Sequence, residues 1–175
     1  MRTRLPLRAA RTSLLALILL ACMQAAFAAE QFAANALRGL HRVNVAVEGI
    51  PPDFARYGLR SDEMRRHVED RLTTAGLEVA DDGAAQSDAT VGQLRVKLTA
   101  VESSYGFYSY AVALQVRRKI PLSAEGGFVS QNVWTNGQSG ISNPSDLRKL
   151  YPVVDQLLTA FVSAHGNDNV AAGAR

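Results

Sequence analysis

The stretch from Gln93 to Thr135 constrains the fold most, because it reads as three β-strands in succession joined by short turns. From Gln93 to Ala100 the chain alternates, with Leu94, Val96, Leu98 and Ala100 on one face and Gln93, Arg95, Lys97 and Thr99 on the other. Ser103-Ser104-Tyr105-Gly106 supplies a turn. Phe107 to Ile120 then alternates again, with Tyr108, Tyr110, Val112, Leu114 and Val116 facing one way. Pro121 and Glu125-Gly126-Gly127 mark a second turn, and Phe128 to Thr135 forms the third strand. Strands joined this tightly must run antiparallel.

Two one-sided helices flank this meander. Ser61 opens the first, with Asp62 and Glu63 where the helix dipole favours acids. Met64, Val68, Leu72 and Ala75 form its narrow apolar stripe, and Gly76 is placed to cap it. Asn143-Pro144-Ser145-Asp146 opens the second, whose stripe is Leu147, Leu150, Tyr151, Val154, Leu157, Leu158 and Phe161. Pro152 is set to kink or restart that helix, and Gly166 to end it. Ahead of the first helix, Val43, Val45 and Val47 alternate in a strand over 42–48, and Pro51-Pro52 places a loop over 49–58. After it, Leu77 to Ala80 reads as a short strand and Asp81 to Asp88 as a polar loop.

One-sided helices and one-sided strands bury their apolar faces by packing against each other. The expected fold is therefore α+β: two layers, a mostly antiparallel sheet of about four to five strands, and two helices on one face. The expected organisation is a signal peptide over 1–28, a lead-in segment or short helix over 29–41, a single domain over 42–166 and a flexible tail over 167–175.

The first 28 residues have the three parts of a secretory leader. Arg2, Arg4, Arg8 and Arg11 precede an apolar core from Leu14 to Leu20, and Ala26-Phe27-Ala28 is a small-x-small cleavage site ahead of Ala29. Its apolar run is about half of the roughly 20 residues that span a bilayer. Leu19-Leu20-Ala21-Cys22 also resembles the lipobox of bacterial lipoproteins, in which the cysteine is acylated. Periplasmic export after cleavage between Ala28 and Ala29 is the first expectation. An outer-membrane lipoprotein anchored through Cys22 is the alternative, and only then is a membrane a partner. The leader also holds four of the 19 basic residues and no acid, leaving 15 basic against 16 acidic beyond it. The pI near 9.3 thus belongs mainly to the leader, and nucleic acid is not an expected partner.

No local motif carries catalysis. His41, His67 and His165 are too far apart in sequence for a metal-binding pair, and each has an ordinary structural reading. His67 flanks the first helix stripe, and His165 at the end of the last helix complements its dipole. Cys22 is the sole cysteine and, with cleavage between Ala28 and Ala29, leaves with the leader. Gly137-Gln138-Ser139-Gly140 is not a nucleophile elbow, and no glycine-rich run precedes the Lys-Ser/Thr helix start of a phosphate loop. Asp81-Asp82-Gly83 and Asn167-Asp168-Asn169 lack the spacing of a calcium loop. No cofactor and no metal are expected, and the chain is not expected to be an enzyme. A hydrolase with a dispersed site remains a further alternative, for which a pocket joining a histidine to a carboxylate would speak.

Two features point to binding. Tyr105 and Phe107 project away from Tyr108 and Tyr110, and with Trp134 they are the candidate ligand patch, an aromatic surface for a protein or glycan of the cell envelope. Arg117-Arg118-Lys119, at a strand end, reads as a guard against edge-to-edge pairing, or else as a contact for phosphate-bearing lipids.

The charged helix ending Ala75-Gly76-Leu77, the Tyr/Phe-rich hairpin, Val133-Trp134-Thr135-Asn136-Gly137 with Gly140, and the apolar closing helix together resemble small exported bacterial proteins of unknown function. The resemblance covers most of residues 40–165 and transfers no catalytic residue. A fainter one is to the outer-membrane lipopolysaccharide-assembly lipoprotein, which also sets a helix before an antiparallel sheet, although this chain lacks that family's Cys-Gly-Phe start. The resulting expectation is an exported, non-catalytic binding or accessory domain, or an acylated subunit of an envelope assembly or transport system.

Overall fold

The computed structural model describes residues 36–122 and 127–173. The leader, Cys22, the Ala28–Ala29 junction, most of the lead-in segment and the Glu125-Gly126 turn lie outside the described residues. The order of elements is β1 (Arg42–Glu48), a 3-10 helix (Pro52–Tyr57), α1 (Ser61–Thr74), β2 (Glu78–Val79), α2 (Asp82–Ser87), β3 (Gly92–Glu102), β4 (Tyr108–Pro121), β5 (Phe128–Ser142), a second 3-10 helix (Pro144–Lys149) and α3 (Leu150–Gly173).

The fold is α+β, one five-stranded sheet in the order β2-β1-β3-β4-β5. The β3-β4-β5 meander is antiparallel. β1, however, is parallel to both of its neighbours, β2 and β3, so the sheet is mixed. The cause is α1: a helix between two strands carries the chain back to its starting end, so β2 re-enters parallel to β1. The segment holding α2 does the same between β2 and β3.

One face of this sheet carries the core. Val43 and Val45, Leu94, Val96 and Leu98, and Val112, Leu114 and Val116 are all buried. Met64, Val68 and Leu72 of α1 and Leu150, Val154, Leu157, Leu158 and Phe161 of α3 close over them in the same cluster. Burying each such side chain is worth about 1.5–3 kcal/mol, which is why both apolar stripes turn inward. Phe54 and Leu59, from the loop after β1, complete the cluster, with the Phe54 and Tyr108 rings edge-on at 5.0 Å.

Several local expectations change. The 49–58 loop contains the first 3-10 helix, started by Pro51-Pro52 and closed by Gly58 at φ 74°. The 81–88 loop is helical, because the Asp81 side chain accepts the Ala84 N–H and caps it. Residues 36–39 of the lead-in form a turn, not a helix, and Leu37 and Leu40 enter the core. The closing helix starts as 3-10 and becomes α-helical at Leu150; Pro152 lies in that first α-turn, where its missing N–H costs nothing.

Nor does Gly166 end the last helix, which continues to Gly173, so residues 167–173 are helical and not a free tail. Long-range bonds hold this end. Asp168 Oδ2 accepts the Leu37 N–H at 3.0 Å, and Asn169 Oδ1 accepts the Gly39 N–H at 2.8 Å. Asn169 Nδ2 also donates to the Leu37 carbonyl.

At the other side of the sheet, Asn44 is buried opposite Val43 and Val45, its amide nitrogen donating to the Ala80 carbonyl and to Asp82 Oδ1 at 2.8 Å. That bond first, and the Arg65 guanidinium second, hold the Asp82 carboxyl below its ordinary range. Thr90 does the same for Asp88 and Arg60 for Asp62. A depressed folded-state pKa stabilises above the unfolded value, and that contribution is lost as pH falls through the folded one. Thermal melts should therefore drop below about pH 4, the unperturbed carboxylate range, and Asp82→Asn should make that drop shallower. A second test concerns backbone. Gly49 sits at φ +79° with a built Cβ 2.0 Å from the Leu98 carbonyl oxygen, whereas Gly76 at φ +85° faces open space. Gly49→Ala should cost more than about 2 kcal/mol in chemical denaturation and Gly76→Ala only about 1 kcal/mol.

Candidate functional site

The face of the sheet turned away from the core changes character from one side to the other. Over β1 and β3 it is charged: Arg95 Nη2 lies 2.6 Å from both oxygens of Glu48. Over β4 and β5 it is small and uncharged, with Ala111 beside Ser139 and Ala113 beside Gly137. At the end that carries the β3–β4 turn it becomes apolar. Val101, Ser109 and Ile141 lie in one row across the three strands, and directly opposed residues share a face. Val101 is 64% and Ile141 69% exposed.

The turn itself adds the aromatics. The Ser103 N–H donates to the Phe107 carbonyl at 2.8 Å, closing the hairpin, and Gly106 takes φ +79°. Tyr105, 87% exposed, then stacks on Phe107 with ring centroids 6.3 Å apart and planes 8° apart. Val101, Tyr105 and Ile141, all exposed, and the half-buried Phe107 thus place an apolar patch on and beside the turn.

Trp134, the third member of the expected patch, is not part of it. It pairs with Val116, far along β4 from the Tyr108–Ser142 pair beside the turn, and its ring meets Phe161 edge-on at 5.5 Å on the core side. Regular alternation back from Ile141 sets Trp134 on the core face, opposite the buried Val116, and a register shift follows it. Arg117 pairs with Asn132 and Val116 with Trp134, so Val133 is an extra residue in β5, and it and Trp134 both pack against the core. Strict alternation could not foresee that. A second exposed apolar group, Ile120, Leu122, Phe128 and Val129, lies at the far end of the β4–β5 pair.

The basic triplet straddles the end of the β3–β4 ladder: Arg117 pairs with Gln93, whereas Arg118 and Lys119 lie where β4 is paired to β5 alone. Arg118 donates to the carbonyls of Ala36 and Arg38, and Lys119 to that of Gln86. Two of its three charges therefore hold neighbouring backbone in place.

The histidines also differ from expectation. His165 lies within α3, not at its end, and its Nε2 bonds the Leu40 carbonyl. His67 does face a carboxylate: Nε2 is 2.9 Å from Asp155 Oδ1, which also pairs with Arg71 at 3.2 Å. The contact joins α1 to α3 and borders an open depression of about 470 Å³ lined by Glu63, Arg66, His67, Asp70, Arg148 and Tyr151 among others. Burial first, and the Glu63 carboxylate second, raise the Tyr151 phenol above its usual value. No serine, threonine or cysteine lines the depression. The arrangement can hold two helices together, and it is also the meeting of a histidine with carboxylates at a depression that the dispersed-site alternative called for. Among the described residues no group of three or more His, Cys, Asp or Glu is placed to hold a metal, and no helix is long and apolar enough to cross a membrane.

No protein-family model matches the chain, and no curated protein matches its sequence. Solved structures do. A minor lipoprotein from Acinetobacter baumannii is 11% identical with a TM-score of 0.34, over 71% of this chain and 91% of that one. Lipoprotein GNA1162 from Neisseria meningitidis is 11% identical with a TM-score of 0.34, over 70% and 97%. A variant of PelC from Paraburkholderia phytofirmans, a dodecamer, is 16% identical with a TM-score of 0.30, over 59% and 74%. These three are bacterial proteins, two of them lipoproteins, and the lipopolysaccharide-assembly lipoprotein is not among them. The likenesses are too distant to assign activity, ligand or assembly.

The two aromatic environments separate in a stability assay. Trp134→Ala should cost about 2–4 kcal/mol, because it removes packing on Phe161. Tyr105→Ala should stay within about 0.5 kcal/mol of the parent, since its ring, stacked on Phe107, is largely exposed.

Proposed function

We propose that the chain is an exported domain of the bacterial cell envelope that works by binding another envelope component and not by catalysis. The observation that carries this reading is the apolar patch of Val101, Tyr105, Phe107 and Ile141, held open on the sheet face opposite the helices. Contiguous exposed apolar surface is costly to keep in water, and its usual compensation is a partner. Two branched aliphatic side chains beside a stacked aromatic pair suit a protein surface better than a glycan, because neither aliphatic offers a hydrogen bond. The leader over 1–28 supplies the route to the envelope.

A second reading keeps the binding role and adds an anchor, with Cys22 acylated after the Leu19-Leu20-Ala21 run, as in a subunit of an envelope assembly or transport system. Intact mass of the chain recovered from a Gram-negative host separates the two. A mass starting at Ala29 is the expected result; one starting at Cys22 with added lipid selects the anchored form. A cytoplasmic chain with its leader intact would overturn both. The binding role is tested by a photo-crosslinking residue at position 105. Specific crosslinks to an envelope protein that disappear with Val101→Asp are expected, and their absence counts against the patch as the contact.

A further inference from the structure

The two edges of the sheet are not alike. β2, at one edge, is two residues long, and the Arg42–Glu78 ion pair covers it. β5, at the other, is fifteen residues long. Proteins blunt exposed edges with charges, prolines, bulges or short strands. β5 has one such device, the bulge at Val133, which interrupts the edge between Asn132 and Trp134. Beyond it, Thr135 to Ser142 has no charge, no proline and no further register shift. Indeed no charged residue occurs anywhere between Glu125 and Asp146.

The hydrogen-bond parity of this segment follows from the turn. Because Ser103 exchanges its bond with Phe107, the odd residues of β4 up to Gln115 face β3 and the even ones face β5. The even β4 residues are opposed by even β5 residues, Tyr110 by Gly140 and Leu114 by Asn136. Thr135, Gly137, Ser139 and Ile141 therefore turn their N–H and C=O groups away from the sheet, and all four are exposed. Gly137 confirms the parity, since its N–H is taken by the Asn136 side chain at 2.8 Å and not by β4. Among the described residues, none outside β5 bonds the outward groups of these four.

We infer that this edge pairs with the same edge of a second copy, antiparallel and across a two-fold axis at Gln138. In that register Thr135 opposes Ile141 of the second copy and Gly137 opposes Ser139. All four outward N–H groups and all four C=O groups find partners, with Asn136 releasing the Gly137 N–H. A two-fold axis sets a strand against itself, so any charge near the centre would meet its own sign. The absence of charge from β5 makes the strand complementary to itself, which is what singles out a second copy as the occupant. Gly140 fits the same picture: the Tyr110 ring already covers the core-side space above it, leaving the edge flat.

The test uses the mature chain at tens of micromolar. Light scattering after gel filtration should give twice the monomer mass. Ser139→Pro deletes an outward N–H without touching a bond to β4, and should convert the dimer to monomer with the circular dichroism spectrum retained. Should that variant fail to fold, Ser139→Lys, on the exposed face, puts like charges near the axis and should give the same loss. Gln138→Cys should form an intermolecular disulfide on oxidation, whereas Lys97→Cys, away from the edge, should not. A monomeric parent overturns the inference, as does a dimer that survives the Ser139 variants or one in which Gln138→Cys fails to cross-link. Val101→Asp should leave the dimer intact while removing the patch crosslinks, so this edge and the binding patch fail or stand separately.

Discussion

The inner face of β3 and β4 sets the terms for everything else. Leu94, Val96 and Leu98 lie across from Val116, Leu114 and Val112, a plane of branched side chains that water makes costly to leave open. Two helices are enough to cover it, and α1 and α3 do so from opposite flanks of the chain. With α1 and α3 on one face, only the short α2 reaches the other, beside β1. Among the described residues no helix covers the outward face over β4 and β5, where the patch beside the β3–β4 turn and the edge of β5 both lie.

How far the sequence foretells this follows from how local each cause is. The meander, the two helix stripes and the outward projection of Tyr105 and Phe107 are local alternation or helical spacing, and they are legible. The parallel placement of β1 is not, because Val43-Asn44-Val45 alternates in the same way whichever neighbour it pairs with. Asn44 looks like a solvated position, yet it is buried under Ala80 and Asp82, partners more than thirty residues away. The extension of the last helix past Gly166 likewise depends on Asp168 and Asn169 reaching the 36–39 turn, and glycine alone is a weak stop.

The candidate site was half legible for the same reason. Tyr105 and Phe107 sit on one turn, so spacing alone joins them. Val101 and Ile141 join them only through strand register. Trp134 meets Phe161 because it opposes Val116, which only the β4–β5 register reveals, while the extra residue Val133 brings two neighbours in sequence to the core together. His67 and Asp155, 88 residues apart, meet only because α1 and α3 cover the same face. Alternation is the signal available to sequence reading, and a single bulge or a helix crossing is enough to defeat it.

That bulge also bears on what the bare face can do. By placing Val133 and Trp134 together in the core it anchors the middle of β5 under α3, and so fixes a strand whose far half contains two glycines and little apolar surface. A strand of such composition has weak register preference of its own. Anchored at Trp134 on one side and held by the Tyr108–Ser142 pair on the other, the Thr135–Ile141 segment is kept straight and at full length. Its outward N–H and C=O groups are then presented in one row, which lowers the backbone entropy to be lost on pairing. The feature that defeats sequence reading in β5 is thus the one that makes its edge a rigid template.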